Sequence, residues 1–347
     1  MLTKYWHVDK DVDDKKDHPQ IEEAASLLRE NEIVAFPTET VYGLGANALS
    51  DEAVKKVFEA KGRPSDNPLI VHIADEEQLE DLVVQVPEQA RILMGKFWPG
   101  PLTLILKNKP NSLSEQVTAG LDTVGIRMPD HPLALALIKQ SGLPIAAPSA
   151  NRSGKPSPTL ANHVWEDLEG RIAGILDGGE TGVGVESTVL DCTAQVPVIL
   201  RPGGITKEQL ESVLGRVEVD AALKDTLKQP KSPGMKYKHY APNAPLYLME
   251  GSREWIQQEI DREREEGKRV GILTTEEYAD FYQADNVIPC GRRSNLSSVA
   301  HSLYDVLRLF NESRVDIIFS EVFPYEGVGL AIMNRLEKAA GHKWIRE

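Results

Sequence analysis

Positive charge is in short supply in this chain. Its 347 residues carry 53 acidic and 39 Lys or Arg side chains, a formal net charge of −14. Sequence-independent nucleic-acid binding depends on many phosphate contacts, so the surface as a whole is wrong for that role. A local basic patch stays open, drawn from Lys55, Lys56, Lys61, Arg63, Arg127, Lys155 and Arg201. Cysteine is scarcer still. Cys192 and Cys290 stand far apart and in no metal-ligand spacing. That argues against a disulfide framework and predicts two reduced, half-buried thiols. No apolar run is long enough to cross a bilayer, and the start, Met1 to His7, lacks the apolar core of a signal peptide. The expectation is a cytoplasmic protein with no membrane partner. Missing too are a G-x-x-x-x-G-K-[ST] loop, a G-x-S-x-G elbow and any His-rich metal spacing. A nucleotide would therefore need some other device to hold it, and no residue is assigned to a metal.

What the chain does have is alternating strands and helices. Ile21, Ala24, Ala25 and Leu28 recur at helical spacing after a charged, irregular segment up to Pro19. Ser50-Asp51-Glu52 caps a second helix that carries Ala53, Val54, Val57 and Phe58 toward a core. Short apolar strands are predicted at 32–36, 69–73, 102–106, 124–127, 144–147, 172–176, 187–190 and 196–200, with a helix at 132–140. The pattern is an α/β domain over residues 1–214. Residues 215–245 are polar and irregular, and stretches of this kind are functional or are linkers. From 246 to 347 strands at 246–249, 269–273 and 315–319 alternate with helices at 252–266, 297–310 and 329–340. This second domain reads as a smaller Rossmann-like parallel sheet. It has no G-x-G-x-x-G, so nucleotide binding there is not implied.

Three polar loops adjoin apolar strands: Phe36 to Gly45 and Ala147 to Thr159 each follow one, and Lys61 to His72 runs into one. Three such loops at strand ends suggest one pocket assembled from distant parts of the chain. Lys61 and Arg63 bracket Gly62; in an extended loop both would point to one side, around an anion. An exposed charged turn is the alternative. Asn67 either fixes the turn before Pro68 or donates its amide to a phosphate. His72, inside an apolar run, is a satisfied core histidine or a neutral ligand contact. Thr38, Glu39 and Thr40 form a polar turn or, with Gly43 and Gly45 allowing close approach, bind a small polar ligand. Glu39 is a candidate base or magnesium contact. Ser149 and Asn151, with Ser157 further on, make a common Pro/Ser turn or contact a nucleotide. Ser187 can meet a ligand carboxylate. Arg127 and Arg201 put guanidinium groups at strand ends, where they fork onto carboxylate or phosphate.

Together these motifs resemble the YrdC/Sua5 family, the threonylcarbamoyl-AMP synthases. The matching segments are 36–45, 61–72, 98–103, 127–129, 147–159, 177–188 and 201–203, with the Lys-x-Arg and Ser-x-Asn pairs as the signature. The second domain and the linker Ser232 to Pro242 resemble the long, two-domain form. The resemblance implies a YrdC-like twisted mixed sheet and a specific reaction. L-threonine, bicarbonate or CO2, and ATP with Mg2+ give threonylcarbamoyl-AMP and pyrophosphate. The product serves tRNA N6-threonylcarbamoyladenosine formation and is handed to the tRNA threonylcarbamoyl transferase machinery, with tRNA binding weak or indirect. On this resemblance the nucleotide group is Lys61, Arg63, Asn67, Thr118, Thr123, Ser149, Asn151, Ser157, Arg201 and Tyr240. Lys61 and Arg63 are the catalytic pair, and Tyr240 belongs to a linker that folds back as a lid. The threonine group is Thr40, His72, Arg127, Ala147 (through its backbone) and Ser187. A ribosome- or RNA-associated binding module is the competing class, and the acidic total charge weighs against it.

Overall fold

The computed structural model describes residues 2–9, 18–223 and 239–347. The chain divides into two compact units. One is Met1–Ser153, Ser157–Gly182 and Glu186–Lys236; the other is Gly154–Pro156, Val183–Val185 and Tyr237–Glu347.

Among the described residues of the first unit, eleven strands form one sheet. In chain order they are β1 (Lys4–His7), β2 (Val34–Phe36), β3 (Gly43–Asn47), β4 (Ile70–His72), β5 (Leu102–Lys107), β6 (Thr123–Arg127), β7 (Ile145–Ala146), β8 (Gly174–Asp177), β9 (Thr188–Asp191), β10 (Val198–Arg201) and β11 (Glu218–Val219). Their spatial order is β1-β8-β2-β3-β7-β4-β6-β5-β9-β10-β11. The sheet is mixed: β4 runs parallel to β6 and antiparallel to β7.

Successive strand residues face opposite sides, and the two sides are packed differently. Ala35, Leu44, Val71, Leu104, Ile126, Ala146 and Leu190 point into the main core. There they meet Val54 and Val57 of helix Asp51–Lys61, Leu93 of helix Glu88–Phe97 and Val164 of helix Ala161–Leu168. On the other side Val34, Phe36, Ile145, Ala147 and Leu176 pack under Ile21 and Leu28 of helix Pro19–Arg29 and Leu133 and Leu137 of helix Pro132–Ser141. Next to that region a separate small cluster of Ile70, Val189 and Leu200 begins at β4. The change of apolar packing along this side places β4 and β6 beside the helix-covered region, not within it.

Three strands of this sheet lie where the sequence suggests none; one, β11, pairs in parallel with β10 inside the stretch 215–245 read as irregular. The segment before Pro19 reads as irregular, yet Lys4–His7 pairs in parallel with β8. Trp6 explains the docking: its ring lies so close to Gly174 that a Cβ there would meet it at 2.1 Å. A charged segment whose strand partner is so distant in sequence gives no local signal of this pairing. The glycine-rich stretch Gly43–Asn47, read as loop at its start, pairs antiparallel with β2. Both cysteines prove fully buried, not half-buried, and burial pushes the Cys192 thiol up to about 12.

The second unit holds an all-parallel five-stranded sheet among its described residues. Its strands are β12 (Leu246–Glu250), β13 (Val270–Thr274), β14 (Asn286–Pro289), β15 (Ile317–Glu321) and β16 (Trp344–Arg346), in the order β14-β13-β15-β12-β16. Helices Arg253–Glu265, Leu296–Glu312 and Gly329–Ala340 connect them. Ser252 caps the first by accepting the Trp255 N–H. The short edge strands β14 and β16 were not anticipated. No helix among the described residues is long and apolar enough to cross a membrane.

Candidate active site on the sheet face

The strand register sets which site residues share a face. Ile70 stands opposite Gly125 and His72 opposite Arg127 in the parallel β4–β6 pair. Residues directly opposite emerge on the same side, so His72, Arg127 and, two steps back from Gly125, Thr123 share one face. The Ala147 N–H donates to the Ile70 carbonyl, and Ser149 bridges to Gly43. Small residues, Ala147, Gly43 and Gly125, stand along these strands, and a Cβ on Gly125 would meet the Ile105, Thr103 and Ile70 side chains. Thr123 and Arg127 sit at opposite ends of β6, four residues or about 13 Å apart.

One end of this face lies where the chain leads into β4. Lys61 is the last residue of helix Asp51–Lys61, and Gly62 ends that helix in the left-handed conformation at φ 63. Lys61 and Arg63 are therefore not an extended pair, as the spacing suggested; the helix cap separates them. Lys61 is 2% exposed, and its ammonium donates to Ser149 O at 2.5 Å, Asn151 O at 2.6 Å and Asn151 Oδ1 at 3.3 Å. One buried cation gathers the loop after β7. That loop is tightened internally, because Ser149 Oγ donates to Asn151 Oδ1 at 2.6 Å and Asn151 Nδ2 to Arg152 O at 2.9 Å. Arg63 reaches the carbonyls of Asn67 and Pro68 only at 3.4 and 3.5 Å. Asn67 is fully buried, and neither atom of its carboxamide has a hydrogen-bond partner. Protein interiors rarely leave such groups unpaired, since each costs about 1–3 kcal/mol. The carboxamide is therefore a candidate ligand contact.

The other end lies where β4 and β6 finish. Arg127 is 4% exposed; its Nη1 donates to Thr40 Oγ1 at 3.0 Å and its Nε to Gly100 O at 3.3 Å. Its Nη2 stands 2.6 Å from Glu39 Oε2. That contact is ionic and not an aligned hydrogen bond, for neither group finds hydrogen-bond geometry there. Thr40 Oγ1 also meets Thr38 Oγ1 at 2.8 Å. His72 is buried, and burial first, then the Arg127 charge, push it down to about 3. It is neutral, as the sequence suggested, but it stands at the Arg127 end and not beside Lys61 and Arg63. Its Nδ1 has no partner in hydrogen-bond geometry, although the Ile70 and Ile145 backbone lies near enough to oppose the shift.

A third set of residues lies at β5, β9 and β10. Ser187 Oγ pairs with Thr103 Oγ1 at 2.8 Å, and Arg201 donates from Nη2 to Ser187 O at 2.9 Å and to Ser187 Oγ at 3.2 Å. A residue assigned to threonine and one assigned to nucleotide are thus in direct contact. Ser157 is fully buried and donates to Glu186 Oε1 at 2.7 Å. Thr118 ends the short helix Glu115–Thr118 and donates to Glu115 O at 3.2 Å. Thr123 is half-buried at the first position of β6. Tyr240 lies in the second unit, buried, with its ring 5.0 Å from that of Tyr304. Of the linker Ser232 to Pro242, residues 232–238 lie outside the described residues.

Several contributors carried no local signal. Thr103 and Glu186 matter through partners 84 and 29 residues away. Thr159 and Thr181 are buried with unpaired hydroxyls and are linked by a Thr181 N–H to Thr159 O bond of 3.1 Å. Gly203 fits because a Cβ there would lie 2.3–2.4 Å from the backbone of Glu186, Ser187 and Thr188.

A cation-lined face on a mixed sheet, with neutral and charged hydrogen-bonding groups at its two ends, defines a small-molecule enzyme of the α/β class. A family profile described as telomere recombination, that of the Sua5, YciO and YrdC proteins, matches residues 26–203, and one described as threonylcarbamoyl-AMP synthase, C-terminal domain, matches residues 205–341. The chain belongs to the Sua5/YciO/YrdC family. It is 66% identical over 346 residues to the threonylcarbamoyl-AMP synthase of Bacillus subtilis (strain 168), covering 100% of both. It is 51% identical to that of Pyrococcus abyssi (strain GE5 / Orsay), covering 93% of this chain and 94% of the other. The crystal structure of P. abyssi Sua5 complexed with L-threonine superposes with a TM-score of 0.91 at 47% identity, covering 100% of each chain.

Proposed function

We propose that the chain is a threonylcarbamoyl-AMP synthase. It joins L-threonine, bicarbonate or CO2, and ATP into threonylcarbamoyl-AMP, releasing pyrophosphate. The threonine amine adds to CO2 to give a carbamate and a proton. A carbamate oxygen then attacks the α-phosphorus of ATP, and the bond to the β-phosphate breaks. Negative charge builds on the phosphates as pyrophosphate leaves, so preorganised cations supply most of the stabilisation. Magnesium enters as part of the nucleotide substrate, MgATP.

The observation that carries this reading is that one sheet face holds buried Lys61 beside an unpaired Asn67 carboxamide at one end and Arg127 beside a neutral His72 at the other. At the Lys61 end the ammonium donates to oxygens of Ser149 and Asn151. Arg63, Asn67, Ser149 and Asn151 complete that subsite, with Arg201 and Ser157 on its flank and Thr118 and Thr123 at its edge. At the other end Arg127, Thr40, neutral His72, Ser187 and the Ala147 backbone form a subsite for an amino acid. The identity to named synthases over the full chain supports the same reading. The product passes to the tRNA-modifying transferase machinery in the cytoplasm, with any tRNA contact weak or indirect.

The test is pyrophosphate release from MgATP by purified protein, with and without L-threonine and bicarbonate. Release that needs both is expected. Turnover indifferent to threonine, or none at all, would overturn the assignment.

A further inference from the structure

Glu39 is the charged residue of the amino-acid end that the reaction leaves without a task. Its Oε2 lies 2.6 Å from Arg127 Nη2, and the two side chains are 12% and 5% exposed. Both neighbours in the loop are locked. Thr38 Oγ1 donates to Val41 O at 2.7 Å and accepts the Thr40 N–H at 3.2 Å; Thr40 Oγ1 accepts from Arg127 Nη1 at 3.0 Å. The guanidinium is therefore held by two neutral oxygens, Thr40 Oγ1 and Gly100 O, and by one carboxylate. Asp130 also feels that carboxylate: burial first, and Glu39 second, push its acid up.

We propose that Glu39 is a positioning residue: it fixes Arg127 and offsets its charge, so that the site selects a zwitterionic α-amino acid over simple carboxylates. The inference rests on the reading of the chain as a threonine-using synthase. Its physical basis is the cost of a buried, unpaired charge. A lone Arg127 would be relieved by any small carboxylate, substrate or not. With Glu39 beside it, a carboxylate alone adds uncompensated negative charge. An amino acid brings its own ammonium to balance it, because the α-amino and α-carboxyl groups share one carbon. Specificity then comes from the penalty on the wrong ligand as much as from attraction to the right one.

The experiment compares wild type with Glu39→Gln, Glu39→Ala and Glu39→Asp. Threonine affinity is measured by calorimetry, and KM for threonine and for MgATP and kcat by pyrophosphate release. Competition uses 3-hydroxybutyrate, which keeps the carboxylate and hydroxyl of threonine but lacks the amine. Glu39→Gln should raise the threonine KM about tenfold, the size of losing one charged contact. The MgATP KM should stay within about twofold on the same argument, and 3-hydroxybutyrate should gain on threonine as a ligand. Glu39→Asp should recover most of the discrimination. An unchanged ratio of threonine to 3-hydroxybutyrate affinity in Glu39→Gln overturns the proposal, as does an equal rise in both KM values. So does a loss of kcat with threonine affinity intact, which would make Glu39 a proton acceptor. Calorimetry with wild type keeps the two readings apart: failure of wild type to bind threonine at all would count against the synthase assignment itself.

Discussion

Lys61, at the end of a helix, and Arg127, at the end of β6, are both buried cations, and the acceptors seen around them differ. Lys61 is surrounded by carbonyl and carboxamide oxygens. Arg127 faces the Glu39 carboxylate at 2.6 Å, so its charge is cancelled locally while its planar donors stay oriented. The first arrangement suits a polyanion, the second a zwitterion. Two cations that look alike in the sequence are thus assigned different ligands by the acceptors the fold supplies.

The largest effect expected comes from breaking the Lys61 end alone. Lys61→Ala removes the charge and releases the Ser149–Asn151 loop, and threonine-dependent pyrophosphate release should fall about 10²–10³-fold. Lys61→Met, which keeps the buried stem, separates packing from charge and should lose nearly as much activity. Threonine affinity measured by calorimetry should hardly move in either variant. If it fell with the rate, the two ends would not be independent. Gly203→Ala strikes the Ser187–Arg201 contact, between a residue assigned to threonine and one assigned to nucleotide. Its Cβ would press on the backbone of Glu186, Ser187 and Thr188 at 2.3–2.4 Å, where no flexible side chain can yield. Overpacking of this kind costs about 1–3 kcal/mol. Urea unfolding should register that loss, and the KM for MgATP and the KM for threonine should rise together, because Arg201 holds Ser187 at this point. A rise in one alone would show that the corner serves one subsite only.

Much of this was legible in the sequence. Apolar periodicity located helix Pro19–Arg29, helix Asp51–Lys61 and the inner strands, because each is decided by residues within one or two turns. The polar loops drew attention to Lys61, Asn67, Arg127 and Ser149 because polar residues at strand ends have few structural excuses. What could not be read was pairing across distance. Nothing near Lys4 announces β8, 170 positions on. Nothing near Glu39 announces Arg127, and without that partner its carboxylate passed equally for a base or a magnesium contact. The i, i+2 geometry assumed for Lys61 and Arg63 failed for a local reason. Gly62 is a left-handed helix cap, and the cap changes the direction of the chain between them.

The Arg127 end can be examined alone through His72. Its pKa lies near 3 in the folded protein, against about 6.5 for a free histidine. Above pH 6.5 the ring is neutral in both states and costs nothing. As the pH falls below that value the unfolded chain takes up a proton that the folded protein refuses, and stability drops by up to about 1.4 kcal/mol per pH unit until the folded group titrates near 3. By pH 5 this one group should have removed about 2 kcal/mol. His72→Gln should be spared that part of the acid loss when urea unfolding is compared at pH 7 and pH 5. An equal loss in the variant would mean that the ring is charged.

The smallest effect expected is at Thr123, and it tests how sharply the two ends are separated. Thr123 is half-buried at the first position of β6, about 13 Å along the strand from Arg127. Thr123→Val keeps the shape and the β-branch and deletes only the hydroxyl, so strand formation should not suffer. A single neutral hydrogen bond to substrate is worth about 0.5–1.5 kcal/mol. The KM for MgATP should therefore rise by no more than about tenfold. The threonine KM should not change, since no side chain can bridge that length of strand. A threonine-selective defect in Thr123→Val would place the amino acid at the wrong end of β6, and the assignment of Lys61 to phosphate and Arg127 to carboxylate would have to be reversed.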